Sequence, residues 1–208
     1  MNNSEKFFDK VSSKSKPEPD ETASKIIEAT KEYLAKDNYI LDFGCGSGAI
    51  TNKIANQVNA IDAIDISLGM LEFAKEQAKK NSIINVNYVK TSIFDERFDN
   101  NKYDAILAFN VLHYIDDMPR LINRTNTLLK PNGVFISSTA CLKERKSLIS
   151  YLVFILGIVG IIPKMYFYKS NELEALITNK YFDIIKSEKL SKLPEYFIVT
   201  RPKPEKNV

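Results

Sequence analysis

Three glycines and two acids are the residues of this chain whose types and spacing could do chemistry. Gly44, Gly46 and Gly48 alternate directly after a short apolar run, and one acid, Asp42, lies inside that run. Glycine has no Cβ and tolerates positive φ, so a ligand can lie against the backbone there. Asp65 follows about twenty residues past the loop, where an acid can accept hydrogen bonds from both ribose hydroxyls. This spacing predicts a loop that holds a nucleotide-type cofactor.

The glycine spacing fits two classes of cofactor. Gly44, Gly46 and Ala49 satisfy the dinucleotide pattern G-x-G-x-x-G/A. The three alternating glycines, preceded by Asp42, also resemble motif I of class I S-adenosylmethionine-dependent methyltransferases. In either class, the exposed amides of the turn and of the following helix N-terminus would face the ligand. A glycine-rich turn alone does not separate the two classes, so the rest of the chain has to.

Alternating strand and helix patterns surround the loop. The run Tyr39–Phe43 is typical of a buried parallel strand, and the residues from Ala49 onward have helical spacing. Further predicted strands are 59–65, 86–90, 103–109, 134–138, 182–189 and 196–200, and further predicted helices are 5–10, 22–36, 67–80, 117–130 and 173–180. Strands that alternate with helices predict a mostly parallel sheet covered on both faces, and the last two strands predict a closing hairpin.

Four segments together carry a resemblance to a known family. The segments are 42–48 (DFGCGSG), 63–67 (AIDIS), 104–113 (DAILAFNVLH) and 128–133 (LLKPNG). They match, in order, motif I, the ribose-acid motif, the fourth-strand motif and the turn before strand five of class I S-adenosylmethionine-dependent methyltransferases. The resemblance covers about residues 39–140. A nicotinamide dehydrogenase is the disfavoured alternative, because such domains do not usually end in a hairpin.

The resemblance implies a fold, a cofactor and a set of binding residues. The fold is a Rossmann-like, doubly wound α/β sheet of seven strands, mostly parallel with a C-terminal antiparallel hairpin strand, in a single domain with a helical insert. The cofactor is S-adenosylmethionine. The residues implied to bind it are Asp42, Gly44, Cys45, Gly46, Gly48, Asp65, Ile66, Met70, Ser92, Ile93, Phe109 and Asn110. Asp42 would face the methionine amino end, and Gly48 would shape the turn.

Ser92 departs from the family pattern. The third strand is commonly followed by an acid that bonds the adenine amino group, and the register places Ser92 at that position. A hydroxyl can accept the same hydrogen bond without a charge, with Ile93 packing on the ring. The alternative is a loop serine bonded only to water.

Two side chains after the fourth strand are candidate catalytic residues. His113 is the only histidine, and its near-neutral reference pKa suits a general base. Tyr114 is a second candidate, and either residue could instead be a pocket wall. Methyl transfer from a sulfonium needs mainly alignment, so a strong base is required only for a poorly acidic acceptor. Asp116 and Asp117 are interpreted as caps of the next helix rather than metal ligands.

The segment 141–170 is the least family-like part of the chain. It contains a nearly continuous apolar run at 148–162, followed by Pro163 and an aromatic cluster at 166–168. The run is shorter than the ~20 residues that span a bilayer. We consider three hypotheses: a lid helix, a pocket for an apolar acceptor, and peripheral membrane contact through 148–168, where Lys143, Arg145, Lys146 and Lys164 would favour anionic lipid.

Composition bounds the remaining possibilities. The 208 residues suit one domain, divided here into N-terminal cap helices (1–36), a cofactor-binding core (37–140), the insert (141–170) and a C-terminal helix with hairpin (171–208). Net charge is only +3, no basic block is interleaved with aromatics, and no Pro-Pro follows Asn110, so nucleic acid is not an expected partner.

Two cysteines and one histidine do not make a convincing zinc site, so no metal is expected. The polar N-terminus favours a cytoplasmic protein. The predicted activity is methyl transfer to a small, apolar acceptor. The alternatives are a non-catalytic S-adenosylmethionine-binding module and a membrane-surface lipid or quinone methyltransferase, and the oligomeric state is left open.

Overall fold

A seven-stranded sheet forms the centre of the molecule. The computed structural model describes residues 3–144, 148–178, 180–191 and 194–204, with only the backbone of 148–150. The strands are β1 Tyr39–Phe43, β2 Ala60–Asp65, β3 Val86–Lys90, β4 Tyr103–Phe109, β5 Leu129–Ala140, β6 Phe182–Lys189 and β7 Glu195–Pro202, in the spatial order β3-β2-β1-β4-β5-β7-β6. The strand β7 runs antiparallel to both of its neighbours, β5 and β6, and all other neighbouring strands are parallel. The predicted doubly wound fold with a closing hairpin is confirmed.

Helices cover both faces of this sheet. They are α1 Asn3–Ser12, α2 Glu21–Lys31, α3 Thr51–Ile54, α4 Leu68–Lys80, α5 Met118–Leu128, α6 Leu148–Ile158 and α7 Ser170–Thr178. One core lies between the sheet and α2, α3 and α4, and the other between the sheet, α5 and α7. Buried parallel strands with continuous apolar runs, such as β4, are what a sheet covered on both faces requires.

Several element boundaries differ from those the sequence predicts. The helix expected from Ala49 is only the four-residue α3, followed by a 3-10 turn at Ala55–Gln57. The helix α2 ends at Lys31 rather than at residue 36. Regular strand β5 begins at Leu129, so the 130–133 turn lies within it. The predicted caps Ser67 and Asp117 are confirmed. Each side chain accepts a hydrogen bond from the amide three residues later, at 3.1 Å from Met70 and at 3.0 Å from Arg120.

The apolar insert folds as a helix and a returning arm. The helix α6 ends where Gly160 adopts a φ of +75°, and the amide of Ile161 bonds back to the carbonyl of Leu156 at 3.0 Å. The arm returns past Gly157 and is held where the Tyr166 amide donates to the His113 carbonyl at 2.7 Å. Among the described residues, no helix is both long enough and apolar enough to cross a bilayer. We call residues 148–168 the finger.

Candidate active site

A cavity of about 510 Å³ opens at the carboxyl ends of β1 and β4. This is the switch point of the sheet, because the chain leaves β1 toward β2 on one side and reaches β4 on the other. Its walls include eleven of the twelve residues predicted to bind the cofactor: Asp42, Gly44, Cys45, Gly46, Asp65, Ile66, Met70, Ser92, Ile93, Phe109 and Asn110. Their binding roles stay predictions, while their convergence on one cavity is a feature of the fold.

The three glycines of the loop have different surroundings. A Cβ on Gly44 would lie 2.6 Å from Val111 Cγ2, and one on Gly48 would lie 2.8 Å from the Cβ of Ala74. A Cβ on Gly46 would meet no atom within 4 Å, because that face opens into the cavity. All three have positive φ. Gly46 is therefore the position where a ligand can lie on the backbone, and Gly48, which does not line the cavity, keeps the loop against α4.

The expectation that the turn's amides face the ligand is wrong for most of the loop. The amides of Gly44 and Cys45 both donate to the carbonyl of Ile64, at 2.8 and 3.0 Å, and the amide of Gly48 donates to the Cys45 carbonyl. The short α3 also has no side-chain cap at its N-terminus. The loop uses two of these amides to fix itself to β2 and the third to close its own turn, so recognition of a ligand would fall to the open backbone at Gly46 and to side chains.

Asp65 lies at the end of β2, beside the glycine loop. Its two carboxylate oxygens accept from the amides of Gly46 at 2.9 Å and Ser67 at 2.8 Å. Burial raises the pKa of this carboxyl against the opposing effect of these amide bonds. Each oxygen keeps a further lone pair, so the group is oriented by the protein and can still accept from a ligand's hydroxyls.

Asp42 is buried beneath the loop at the end of β1. Its Oδ2 accepts from the hydroxyl of Thr51 at 2.5 Å. Burial raises the pKa of this carboxyl to about 6, the Thr51 bond opposes the rise, and the negative charge of Asp65 adds to it. A cation placed in the cavity would favour the ionised form, which is the property expected of a site for a ligand's amino group.

Ser92 lies on the cavity wall where the register placed it. Its Oγ accepts from the amide of Phe94 at 3.3 Å, and the neighbouring Ile93 side chain is buried. Both line the cavity. The hydroxyl hydrogen of Ser92 has no acceptor among the described residues, so the side chain can still turn toward a ligand, and adenine binding stays a prediction.

The two candidate catalytic residues occupy different places. Tyr114 lines the cavity, and burial raises the pKa of its hydroxyl. His113 does not line it, is 5% exposed, and packs its ring on Tyr114 with centroids 4.2 Å apart. Burial lowers the pKa of His113 to about 4, so the imidazole is neutral and weakly basic at neutral pH. This placement favours the pocket-wall interpretation of His113, and its role as a base stays a prediction.

Sequence reasoning missed the contribution of the N-terminal helices to the cavity. Ser4 and Phe8 of α1 and Ala23 of α2 line it. The Phe8 ring meets Tyr114 edge-on, with centroids 5.4 Å apart. Adjacent phenylalanines in an otherwise polar helix were the available signal, because an amphipathic helix with so little apolar surface has to cover something specific.

The described side chains of the finger, 151–168, lie outside this cavity. None of its described side chains lines the walls, which is not the arrangement the lid hypothesis requires. Lys143 is ion-paired with Glu172 at 2.8 Å, and Arg145 and Lys146 lie outside the described residues. Of the two cysteines, Cys141 is buried in the core and Cys45 is half-buried at the cavity.

Comparison with known proteins identifies the family. Residues 34–151 match the family described as "Methyltransferase domain". A ubiquinone biosynthesis O-methyltransferase of Rickettsia typhi is 30% identical over 151 residues, which are 70% of this chain and 60% of that protein. The chain thus spans about three fifths of the length of the curated relatives it matches.

Solved structures show the same fold. A protein from Pyrococcus horikoshii superposes with a TM-score of 0.70 at 20% identity, covering 86% of this chain and 89% of that one. A geranyl diphosphate methyltransferase in complex with GPP and sinefungin gives 0.71 at 12% identity, covering 86% and 77%. Because the family match takes in more than half of the chain, including the glycine loop and Asp65, this chain belongs to the methyltransferase-domain family, of the class I type that its motifs predicted.

Proposed function

We propose that this protein is an enzyme that transfers a methyl group from S-adenosylmethionine to a small, apolar acceptor. One observation carries the proposal: the same cavity is lined by two acids and by apolar side chains. Asp42, which is buried, Asp65, which is half-buried, and Gly46 supply the polar lining, and Phe8, Tyr114 and Ile115 belong to the apolar and aromatic lining. Such a cavity can hold a polar, cationic cofactor and an apolar acceptor next to each other.

The residues present fit this cofactor. The open backbone at Gly46 leaves room for a chain to lie along the loop. Asp65 is oriented to accept from ribose hydroxyls, and Asp42 is buried where a cationic amino group would ionise it. When bound, S-adenosylmethionine supplies an electrophilic methyl group on a sulfonium. The protein has to align an acceptor with that methyl group and keep water away, which the apolar walls do.

A hydroxyl oxygen is the acceptor atom that the relatives favour. The matched Rickettsia and Coxiella proteins are named ubiquinone biosynthesis O-methyltransferases. The cavity's own residues agree with an aromatic, apolar acceptor, because Phe8 and Tyr114 already meet edge-on at its wall. A phenol loses its proton far more readily than an alkyl alcohol does, so phenol methylation does not require a strong base.

A transfer assay with labelled S-adenosylmethionine tests the proposal. Prenylated and unprenylated phenols are compared, and we expect the apolar phenols to be methylated with the higher kcat/KM. Phe8→Ser should lower kcat/KM for them by about tenfold, since apolar contact worth about 1.5 kcal/mol or more is lost. Phe7→Ser is the control, because the adjacent Phe7 does not line the cavity. Cofactor binding without transfer to any phenol would instead favour the binding-module alternative.

A second candidate role, enzyme action at a bilayer surface, is favoured by the finger. Its described apolar side chains are exposed on several faces of α6 and at its tip, with Tyr151, Ile158 and Ile161 at 68, 67 and 63% exposed. No acid occurs between residues 145 and 171, where Arg145, Lys146, Lys164 and Lys169 are basic. An eleven-residue helix is about 16 Å long, too short to span but suited to lie in the interface.

Vesicle co-sedimentation tests this second role without any assay of activity. We expect more binding to vesicles that contain phosphatidylglycerol than to pure phosphatidylcholine. Serine at Leu152, Ile158 and Ile161 should remove binding. Serine at Ile84 and Ile185, which are exposed elsewhere on the surface, should not. Equal binding by both variants would contradict the role, and light scattering would show whether the finger joins two copies instead.

A further inference from the structure

The acid Asp9, on α1, makes the contacts from which the inference starts. Its Oδ1 accepts from the Ser67 hydroxyl at 2.6 Å and from the Gly69 amide at 3.0 Å. Both donors belong to the N-terminus of α4, which directly follows the ribose acid Asp65. Amides at a helix N-terminus lack partners within the helix, so an acid from another element is a favourable acceptor for them.

Ser67 links this contact to the cavity. Its amide donates to Asp65 Oδ1 at 2.8 Å, while its Oγ accepts from the Met70 amide at 3.1 Å and donates to Asp9. The side chain of Ser67 thus has its donor and one acceptor position occupied, which fixes the rotamer of the residue that orients Asp65. The other oxygen of Asp65 is held by Gly46, so the carboxylate is located from both sides.

The helix α1 lies close to the N-terminus of α4. A Cβ on Gly69 would lie 2.6 Å from the Oγ of Ser12, so a larger residue there would force the Ser12 side chain to move. The helix α1 contains no fully buried residue. Glu5 of α1 also forms an ion pair with Lys90 of β3, with the two charged atoms 2.6 Å apart. Polar contacts with the segments before and after this part of the sheet therefore help to position the helix, together with the ring contact of Phe8 with Tyr114.

We infer that Asp9 is a positioning residue for Asp65: through Ser67 it sets the orientation in which Asp65 receives the ribose hydroxyls of the cofactor. The inference rests on the proposed function. Asp9 acts as a hydrogen-bond acceptor, not as a charge, because its negative charge close to Asp65 opposes ionisation of that acid. The role is distinct from that of Ser4 and Phe8, which cover the cavity from the same helix.

A cycle of variants and ligands separates positioning from covering. Affinities for S-adenosylhomocysteine and its 2′,3′-dideoxy analogue are measured by calorimetry for wild type, Asp9→Ala, Asp9→Asn and Glu5→Gln. We expect Asp9→Ala to weaken the parent ligand about five- to tenfold and the dideoxy analogue less than about twofold, in line with the loss of one oriented hydrogen bond. Asp9→Asn, which keeps Oδ1 as an acceptor, should restore wild-type affinity.

The variant Glu5→Gln is the control. Glu5→Gln removes the ion pair with Lys90 and leaves the hydrogen bonds from Ser67 and Gly69 to Asp9 in place, so it should change both affinities by the same factor. If Asp9→Ala also weakens both ligands equally, Asp9 only holds the helix over the cavity and the positioning role is overturned. If wild-type protein binds neither ligand, the proposed function fails as well. Thermal unfolding of each variant confirms that the fold is kept.

Discussion

At the scale of single residues, the candidate site holds a buried acid, Asp42, and a half-buried acid, Asp65, whose charges interact. Burial raises the pKa of both Asp42 and Asp65, and the charge of Asp65 adds to the rise at Asp42. Two neighbouring carboxylates in a partly dry cavity resist joint ionisation. A cationic ligand would relieve this resistance, which is why we assign these acids to a molecule that carries an amino group or a sulfonium.

The raised pKa of Asp42 predicts a pH dependence of cofactor affinity. Below about pH 6 the carboxyl is protonated, and its proton has to leave before a cationic amino group can bind. Affinity should therefore fall as pH falls below 6, approaching about tenfold per pH unit. Asp42→Asn should abolish this dependence at reduced affinity. Calorimetry between pH 5 and 8 measures both, and a wild-type affinity that is flat through pH 5 would contradict the assignment.

The same residues show what spacing along the chain can and cannot predict. Asp42, the glycines and Asp65 were found because the loop and the next strand place them at fixed intervals. Asp9 and Phe8 could not be found that way, because Phe8 reaches the cavity, and Asp9 reaches the N-terminus of α4, only through the packing of α1, which no fixed interval along the chain encodes. The hydrogen bonds from the loop's amides to the carbonyl of Ile64 could not be predicted from the sequence either.

At the scale of elements, the glycine loop serves two purposes that separate substitutions can distinguish. Gly46 faces open cavity at a φ of +52°, whereas Gly48, at +73°, faces the Cβ of Ala74 on α4. Alanine at either position costs roughly 1–2 kcal/mol through positive φ. Only at position 48 would the new Cβ also collide with a neighbouring helix.

We therefore expect the two alanine variants to rank oppositely in their effects on thermal stability and on cofactor affinity. Gly48→Ala should lower Tm more than Gly46→Ala does, because α4 has to move. Gly46→Ala should lower cofactor affinity more relative to its loss of stability, because its Cβ occupies the space where the ligand would lie. Thermal unfolding and calorimetry on the same samples measure both orders. Equal effects on both quantities would show that the loop acts as one rigid unit.

Elements were predictable where one periodicity dominated. The strands β1, β3, β4 and β6 have the predicted bounds. In β1 and β4 a buried apolar run between turn residues leaves little freedom, whereas β3 and β6 are largely exposed or half-buried strands set off by the polar turns around them. The helix after the loop was overextended, since an apolar residue every fourth position continues through the Ala55–Gln57 turn. The finger was the hardest element to predict. Its apolar composition indicates that another surface covers it, but the composition does not identify that surface.

At the scale of the whole molecule, the order of the strands creates the site. The crossover helices α3 and α4 lie on one face together with α2, and α5 and α7 lie on the other, so the connections diverge above β1 and β4 and leave a crevice. The sequence predicted this because alternation of strands and helices, with a terminal hairpin, allows few topologies. How α1 and the finger settle around the crevice depends on tertiary contacts instead.

Calorimetric titration of S-adenosylhomocysteine into wild type and Asp65→Ala tests the central claim most directly. Two hydrogen bonds to a charged acceptor are at stake, each worth about 1.5–3 kcal/mol, so Asp65→Ala should weaken binding by about 100-fold or more. Asp37→Ala, an exposed acid before β1, is the matched control and should bind like wild type. Equal affinity of the wild-type and Asp65→Ala proteins would show that the cofactor does not bind at this acid, and would contradict the assignment of the site.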